Sequence, residues 1–363
     1  YILYTLTTYQ FKENLDFARN LKEAYPCPVL VGGVHMGIYA EESMSHDVFD
    51  VGFIGEIEIS LPMFLECDVM DLDGFNGVPG IIFKRDGRYR RTRPAPQLQN
   101  VDNAHFPARH LVDNSKYFSF ITKYKNFTCF VSSRGCPFKC IFCVWPAAMT
   151  GNDPHGDGKR SVRQYTPDYI ENLIKDLTGR YKFNAIYFDD DTFNIGNKHT
   201  ENMSEVMSKF DIPWFAMCRA DTSKKETWKK MSDNGCQGVK LGVESGSQVV
   251  VDKIVNKHLD LKYVQEIVSH IRSLNMSVHG TFTYGLPGET KEDMIRTKKF
   301  IQETKFSTVQ ESGTAEIEGT PLHALINEEK LMTYPGAIAD ENYDRQKDGG
   351  KKWQSLVKEL QNN

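Results

Sequence analysis

The sequence predicts an α/β protein in two parts: a partial Rossmann-like domain, then an incomplete TIM-like (β/α)6 barrel. Three observations predict it. Short apolar strands alternate with amphipathic helices near both ends of the chain, the pattern of parallel sheets. The alternation lapses over residues 67–126, which hold a hairpin signal and a Pro-rich irregular stretch. After it, six strand–helix beats follow one another, which suits a barrel with its chemistry on the loops after the strands. The 363 residues therefore divide into 1–66, 67–126, a barrel at 127–325 and a C-terminal extension at 326–363.

The elements run in order. ILYTLTTY is β-rich and already under way at Tyr1, so the chain reads as lacking its natural N-terminus. FKENLDFARNLKEAY carries Leu15, Ala18 and Leu21 at helical spacing. PVLVGG is a short buried strand that ends in glycines; VFDVGFIGE is another strand, and IEISLPMFLE continues as a helix. This is a doubly wound pattern. VPGIIFKRDGRYRRTRP reads as a hairpin turning at Asp86-Gly87, and PAPQLQNVDNAHFPARHLVD as a linker. The barrel strands are TCFVSS, AIYFDDD, WFAMCRAD, GVKLGVES, SVHGTFTYG and TVQESGTAEI. The clearest helix is TPDYIENLIKDL, with Thr166 as N-cap, Pro167 at N1 and one stripe of Ile170, Leu173, Ile174 and Leu177. The tail after Gly336 carries no functional signal.

Composition narrows the function classes. A hydrophobic content of 40% with 25% charged residues is that of a soluble globular protein. The formal net charge of -4 gives no basic surplus for a nucleic-acid backbone. No apolar run approaches the ~18 residues of a membrane span, and no signal peptide is visible. Eight cysteines are scattered except for one cluster, which points to a cytoplasmic, metal-binding chain.

That cluster is RGCPFKCIFCVWP, with Cys136, Cys140 and Cys143 spaced C-x3-C-x2-C, directly after the first barrel strand. Thiolates select zinc or iron–sulfur clusters. A structural zinc site closes with four ligands, commonly as two paired motifs, and here only three stand together. An iron–sulfur cube on three cysteines leaves one iron open to a further ligand. Zinc would have to borrow a distant fourth donor.

C-x3-C-x2-C with an aromatic residue, Phe142, before the last cysteine resembles the radical S-adenosylmethionine (SAM) superfamily, from about 127 to 325. The resemblance implies a [4Fe-4S] cluster on Cys136, Cys140 and Cys143, with SAM chelated to the open iron and cleaved to a 5′-deoxyadenosyl radical. It also implies SAM contacts at the strand ends. IYFDDDTF offers Asp189, Asp190 and Asp191 for the SAM ammonium where the family often carries Gly-Gly-Glu; which carboxylate serves stays open. Three adjacent acids repel one another unless water or a cation intervenes. Arg219 of CRAD could pair with the SAM carboxylate or form a surface ion pair. GVESGS looks like the family's Gly-x-Glu-Ser-Gly segment, with Glu244 and Ser245 toward SAM and Gly246 allowing close approach. YGLPGET reads as structural, with Glu289 or Thr290 capping the next helix. EGTPLH resembles the sixth-strand ending.

VGGVH and GFIGEIEISL resemble the second half of a cobalamin-binding domain fused ahead of many such barrels. The resemblance implies that Gly32 and Gly33 approach the cobalamin nucleotide tail, that Thr5 and Thr7 line it, and that Gly55 and Glu56 form the next loop. FPARHLV resembles the stretch before the barrel. The family's Asp-x-His-x-x-Gly, which supplies an axial histidine in some members, would precede Tyr1 and is not seen in the front domain; either the fragment has lost it or the protein never had it. His35 reads as a loop histidine near the tail or in solvent. The whole is similar to class B methyltransferases: one SAM methylates cobalamin, a second yields the radical, and the methyl group reaches an unactivated carbon. The alternatives are cobalamin-dependent cyclisation or rearrangement, cobalamin-independent chemistry such as methylthiolation, and a metal-stabilised binding module. A small-molecule or peptide substrate and an electron donor such as flavodoxin or ferredoxin are implied. Tyr284 and Trp145 stand near the strand ends as lid or core residues.

Overall fold

The structure is a computed structural model that describes residues 2–68, 72–117, 124–150 and 161–328. Apart from 326–328, the C-terminal extension lies outside the described residues. The chain packs as two units. The first takes residues up to Gln99 together with segments beginning at Ile141 and Glu316; the second takes Asn100–Cys140 and 160–315. Among the described residues, no helix is long and apolar enough to cross a membrane.

In the first unit, β1 (Ile2–Thr5), α1 (Phe11–Ala24), β2 (Val29–Gly32), α2 (Val34–Ile38), α3 (Ala40–Met44), β3 (Val51–Phe53) and α4 (Ser60–Leu65) lead into the hairpin β4 (Ile81–Arg85) and β5 (Arg88–Arg91). Strand order is β1-β2-β3-β4-β5, parallel through β3 and antiparallel beyond. All four residues of β2 are buried, as an inner parallel strand covered on both faces requires. The hairpin turns at Asp86 (φ 49°) and Gly87 (φ 72°), two left-handed residues in succession, which matches the twist of the strands. The sequence reading ends this domain at 66. Packing carries it to Gln99, because β4 pairs with β3 and draws the hairpin into the same sheet.

The second unit begins with β6 (Phe127–Phe130) and β7 (Ser133–Arg134). The cysteine loop follows, then α5 (Trp145–Thr150), which belongs to the first unit. The chain returns through β8 (Arg163–Gln164), α6 (Pro167–Gly179), β9 (Ala185–Phe188), α7 (Asn197–Met207), β10 (Trp214–Cys218), α8 (Lys225–Asp233), β11 (Cys236–Glu244), α9 (Leu261–Ser273), β12 (Ser277–Tyr284), α10 (Lys291–Thr304) and β13 (Thr308–Gly313). The last described helix, α11 (Pro321–Glu328), lies again in the first unit. β6, β9, β10, β11, β12 and β13 form one parallel sheet in sequence order, a half-barrel. Thr166 caps α6 by accepting from Tyr169 N, and Ile170, Leu173, Ile174 and Leu177 are buried. They pack with Phe188, Trp214, Leu241, Val278 and Phe282 in the core on the helix side of the sheet. The inner face alternates with it: Lys240, Gly242, His279, Thr281 and Thr283 are half-buried between fully buried neighbours.

Candidate active site

The cysteine loop leaves the barrel through a polar anchor. Asp190, 1% exposed at the end of β9, accepts from Ser132 N (3.0 Å), Ser132 Oγ (2.9 Å) and Ser133 Oγ (2.6 Å). Ser132 Oγ also lies 3.0 Å from His199 Nε2, and burial pushes that imidazole down to about 4, so it is neutral. Burial raises Asp190 to about 6 against the opposing hydrogen bonds from both serines. Burial raises Asp191 to about 6 as well, and the Gly135 N–H opposes the rise. Gly135 sits at φ 93°, and a Cβ there would lie 2.2 Å from Ser161 O, so only glycine passes. Two of the three aspartates thus brace the approach to Cys136. Asp189 is exposed, and Lys240 partly offsets the rise that burial imposes on it.

Cys136, Cys140 and Cys143 are half-buried and in no disulfide, and Phe142 is half-buried beside them in sequence. Cys136 Sγ is 3.6 Å from Thr192 Oγ1. Asn256 Nδ2 donates to Lys139 O at 3.0 Å and ties down the middle of the loop. Cys143 falls within the first unit's segment. Among the described residues, no three His, Cys, Asp or Glu side chains gather around a single-ion position.

Beside Cys140 lies a group of charges. Burial pushes its thiol up; Lys257 and Arg219 pull it back, while Glu244 and Cys136 add to the rise. Lys257 Nζ pairs with Glu244 Oε1 at 2.8 Å, both buried, and Thr283 Oγ1 donates to Glu244 Oε2 at 3.3 Å. Burial alone would depress Lys257, but Glu244 and Cys140 outweigh it and hold the ammonium above its ordinary range. Glu244 sits at φ 74°, where β11 slips register against β12, a strained conformation for a side-chain-bearing residue. Gly242 makes room: a Cβ there would stand 2.7 Å from Glu244 Oε1 and 2.8 Å from Lys257 Nζ. Arg219, 4% exposed, forks onto Asp221 (2.6 and 3.0 Å), donates to Lys257 O, and lies 3.8 Å over the Phe138 ring. Arg219 itself is buried, while its partner Asp221 is exposed, so the pair spans the surface and the interior. Asn194 holds its backbone through Arg219 N (2.9 Å) and Arg219 O (2.8 Å). Arg219 Nη1 is buried without an acceptor among the described residues.

The rest of GVESGS faces the helices. Ser245 Oγ lies 3.0 Å from Thr297 Oγ1 and accepts from Ser247 N. At Gly246 a Cβ would stand 2.6 Å from Thr297 Cα, so its close approach is to α10. Thr290 caps α10 in a capping box with Asp293, while Glu289 accepts from Gly285 N and Leu286 N within its own loop. Tyr284 is core, 1% exposed, and Trp145 is 44% exposed.

In the first unit, Gly33 stands at φ 97°, and its Cβ would lie 2.6 Å from Thr5 Cγ2 and 2.9 Å from Leu6 O. Gly32 differs: its Cβ would make only an ordinary 3.8 Å contact with Phe53 Cβ. Thr5 is exposed, Thr7 Oγ1 bonds Gln10 Oε1 at 3.3 Å, and Gly55 has φ 84°. Glu56 Oε2 accepts from Leu98 N at 3.0 Å. His35 is buried and not in solvent: it stacks on Phe11 at 4.3 Å, with Nδ1 3.2 Å from Thr8 Oγ1.

Sequence reasoning missed Lys257, Asn194, Asn256, Thr192 and the Ser132–Ser133 anchor. The serines stand in the quoted first strand and were visible as hydroxyls at its end; Lys257 carries no local signal. A groove of about 950 Å³ lined by Gly246, Gln248, Lys262 and Arg296 lies on the helix side of the sheet.

Residues 130–301 match the Radical SAM superfamily. An uncharacterized methyltransferase of Pyrococcus horikoshii is 27% identical over 300 residues, 81% of this chain and 62% of the relative. A cytidylyl-2-hydroxyethylphosphonate methyltransferase of Streptomyces wedmorensis is 24% identical over 333 residues, 80% of this chain and 59% of the relative. This chain thus spans about six-tenths of the length of the curated relatives it matches. The radical SAM methyltransferase TsrM of Kitasatospora setae superposes with a TM-score of 0.71 at 16% identity, over 88% of this chain and 61% of that one. The cobalamin-dependent SAM radical enzyme OxsB gives 0.68 at 16% identity, over 91% and 53%. Both share the barrel and the Rossmann-like region in front of it.

Proposed function

From the match of residues 130–301 to the Radical SAM superfamily, we propose that this chain is a cobalamin-dependent radical SAM methyltransferase acting on an unactivated carbon. One observation carries the reading: a three-cysteine loop whose Cys140 lies beside two buried cations, Lys257 and Arg219, with Arg219 Nη1 left without an acceptor among the described residues. Buried positive charge beside thiolates suits an anionic cluster. A buried guanidinium N–H without an acceptor costs stability unless a ligand supplies one, and a SAM carboxylate would.

Cys136, Cys140 and Cys143 would hold the [4Fe-4S] cluster. When bound, cluster and SAM supply hydrogen-atom abstraction and cobalamin carries the methyl group. The chain's own residues position and shield. Arg219 orients the SAM carboxylate, held in place by Asp221 and Asn194. Asp189 and Asp191 take the SAM ammonium, while Asp190 is committed to the serines. Glu244, fixed by Lys257 and Thr283, presents a carboxylate toward the polar edge of SAM, and Phe142 walls the cluster side. Ser245 serves the frame. In the first unit, Gly32, Gly55, Thr5 and Thr7 line the cobalamin tail, while Gly33 and Glu56 hold their own loops. Methyltransferase names among the relatives, including the cobalamin-dependent radical SAM methyltransferase TokK of Streptomyces tokunonensis at 21% identity, support methyl transfer. A low-potential electron donor such as flavodoxin or ferredoxin completes the system.

The test is anaerobic reconstitution with SAM, reductant and cobalamin, quantifying S-adenosylhomocysteine and 5′-deoxyadenosine. Cobalamin-dependent S-adenosylhomocysteine, with 5′-deoxyadenosine abolished in Cys140→Ala, is expected. 5′-Deoxyadenosine without S-adenosylhomocysteine would remove methyl transfer; neither product, with zinc in the cysteines, would remove the whole reading.

A further inference from the structure

Resting on that reading, we infer that the inner face of the half-barrel carries an anion subsite, built on Lys240 and His279, that takes a carboxylate or phosphate group of the substrate. The two residues are direct register partners on β11 and β12, and Thr308 of β13 follows in the same row. Neighbouring strands lie about 4.8 Å apart, so the side chains of such a row stand together. Both project from the inner face: Val239, Leu241 and Val278 on either side of them are buried in the helix-side core, whereas Lys240 and His279 are half-buried.

A barrel interior that only supports a fold is filled with branched apolar side chains in layers. This one presents Lys240, His279, Thr281, Thr283 and Gln310. Two of these have unused capacity. Among the described residues, Lys240 makes no hydrogen bond or ion pair, unlike Lys257 and Arg219, which the fold engages. His279 Nδ1 lies 2.8 Å from Thr308 Oγ1, and its Nε2 is buried with no hydrogen-bond partner. With the Thr308 hydroxyl donating to Nδ1 the ring proton sits on Nε2, and a protonated ring donates from both nitrogens; in either state Nε2 presents an N–H. An ammonium and an N–H donor side by side call for an acceptor with several oxygens. Asp189 interacts electrostatically with Lys240, and the Gln310 side chain is close enough to the His279 ring to favour its charged form. Neither forms an ion pair or hydrogen bond with the ammonium among the described residues.

Lys240 precedes Glu244 by four strand residues, about 13 Å along β11. Asp189 lies within electrostatic reach of Lys240, so the subsite would hold a substrate group below Glu244 and beside the polar end of SAM, where binding energy orients it.

The test uses the reconstituted full chain. Inorganic phosphate and succinate are titrated calorimetrically, each against potassium chloride at equal ionic strength, into wild type, K240M, K240R and H279Q. At least tenfold weaker binding is expected in K240M and H279Q, with substantial recovery in K240R. Tighter phosphate than succinate identifies a phosphoryl group, and the reverse a carboxylate; either supports the subsite. Failure of the wild type to bind both anions, or binding by K240M equal to wild type, overturns it. Iron and sulfide are measured on the same samples, so failure of the cluster assignment is scored apart from failure of the subsite.

Discussion

The loop around Cys140 and the loop around Gly32–Gly33 both carry residues of a recognisable motif, yet the fold explains them to different degrees. Around Cys140 several groups exceed what folding needs: buried cations beside a thiol, a guanidinium nitrogen without an acceptor, a glutamate held at positive φ. The cations are paired within the protein, Lys257 with Glu244 and Arg219 with Asp221, but the open guanidinium nitrogen and the strained glutamate carry a cost that these pairs leave standing. Around Gly33 the fold accounts for most of the motif. Gly33 is required by Thr5 and Leu6, and Glu56 holds Leu98. Only Gly32 has a bare position that nothing in the protein requires. Motif residues therefore point to a ligand only where the fold leaves them unexplained.

The sharpest break of this comparison is Lys257→Met. If Lys257 belongs to a buried charge group, its loss leaves Glu244 unpaired in a strained, buried position. Removing one partner of a buried pair costs about 3–5 kcal/mol. The urea midpoint, followed through the fluorescence of buried Trp214 and Trp228, should fall accordingly, and iron retention should fall with it. An unchanged midpoint would mean that the pair is not part of the second unit's frame.

Next in size are the two glycines. Gly33→Ala forces a side chain onto φ 97° and against Thr5, at about 1–3 kcal/mol. Gly32→Ala adds a methyl at ordinary contact distance from Phe53, so stability should stay within about 0.5 kcal/mol. Cobalamin retention, read by absorbance after gel filtration, should nevertheless fall at least tenfold in Gly32→Ala. If that variant keeps its cobalamin, the glycine turn is structural throughout and the first unit loses its clearest steric argument for the tail.

Much of this was legible in the residues, and what was not has a common cause. The six barrel strands and the Thr166-capped helix follow from periodicity and capping, which are local. The cysteine spacing is local too. Lys257 was not legible because its partner, Glu244, is thirteen positions away across a π-turn and loop, and nothing in VNKH marks a buried lysine. Asp190 and Asp191 could not be separated from Asp189 in sequence. Only the serines 57 and 58 positions earlier show which carboxylate is committed. The boundary at Gln99 also rests on a nonlocal event, the pairing of β4 with β3. His35 follows two glycines and so reads as a loop residue, but Phe11 and Tyr39 enclose it.

The smallest expected effect tests the same distinction at Glu56. Its carboxylate accepts from Leu98 N, 42 positions away, and so fastens the strand-end loop to the segment after the hairpin. If that is its role, Glu56→Ala should cost about 1 kcal/mol, the net worth of one such hydrogen bond, and Glu56→Gln should recover most of it because the amide oxygen still accepts. Cobalamin retention should be unchanged in both. A variant as stable as wild type that releases cobalamin would reverse the assignment. Glu56 would then belong with Gly32 among the residues facing the ligand, and the first unit would resemble the barrel edge in carrying charge for something other than itself.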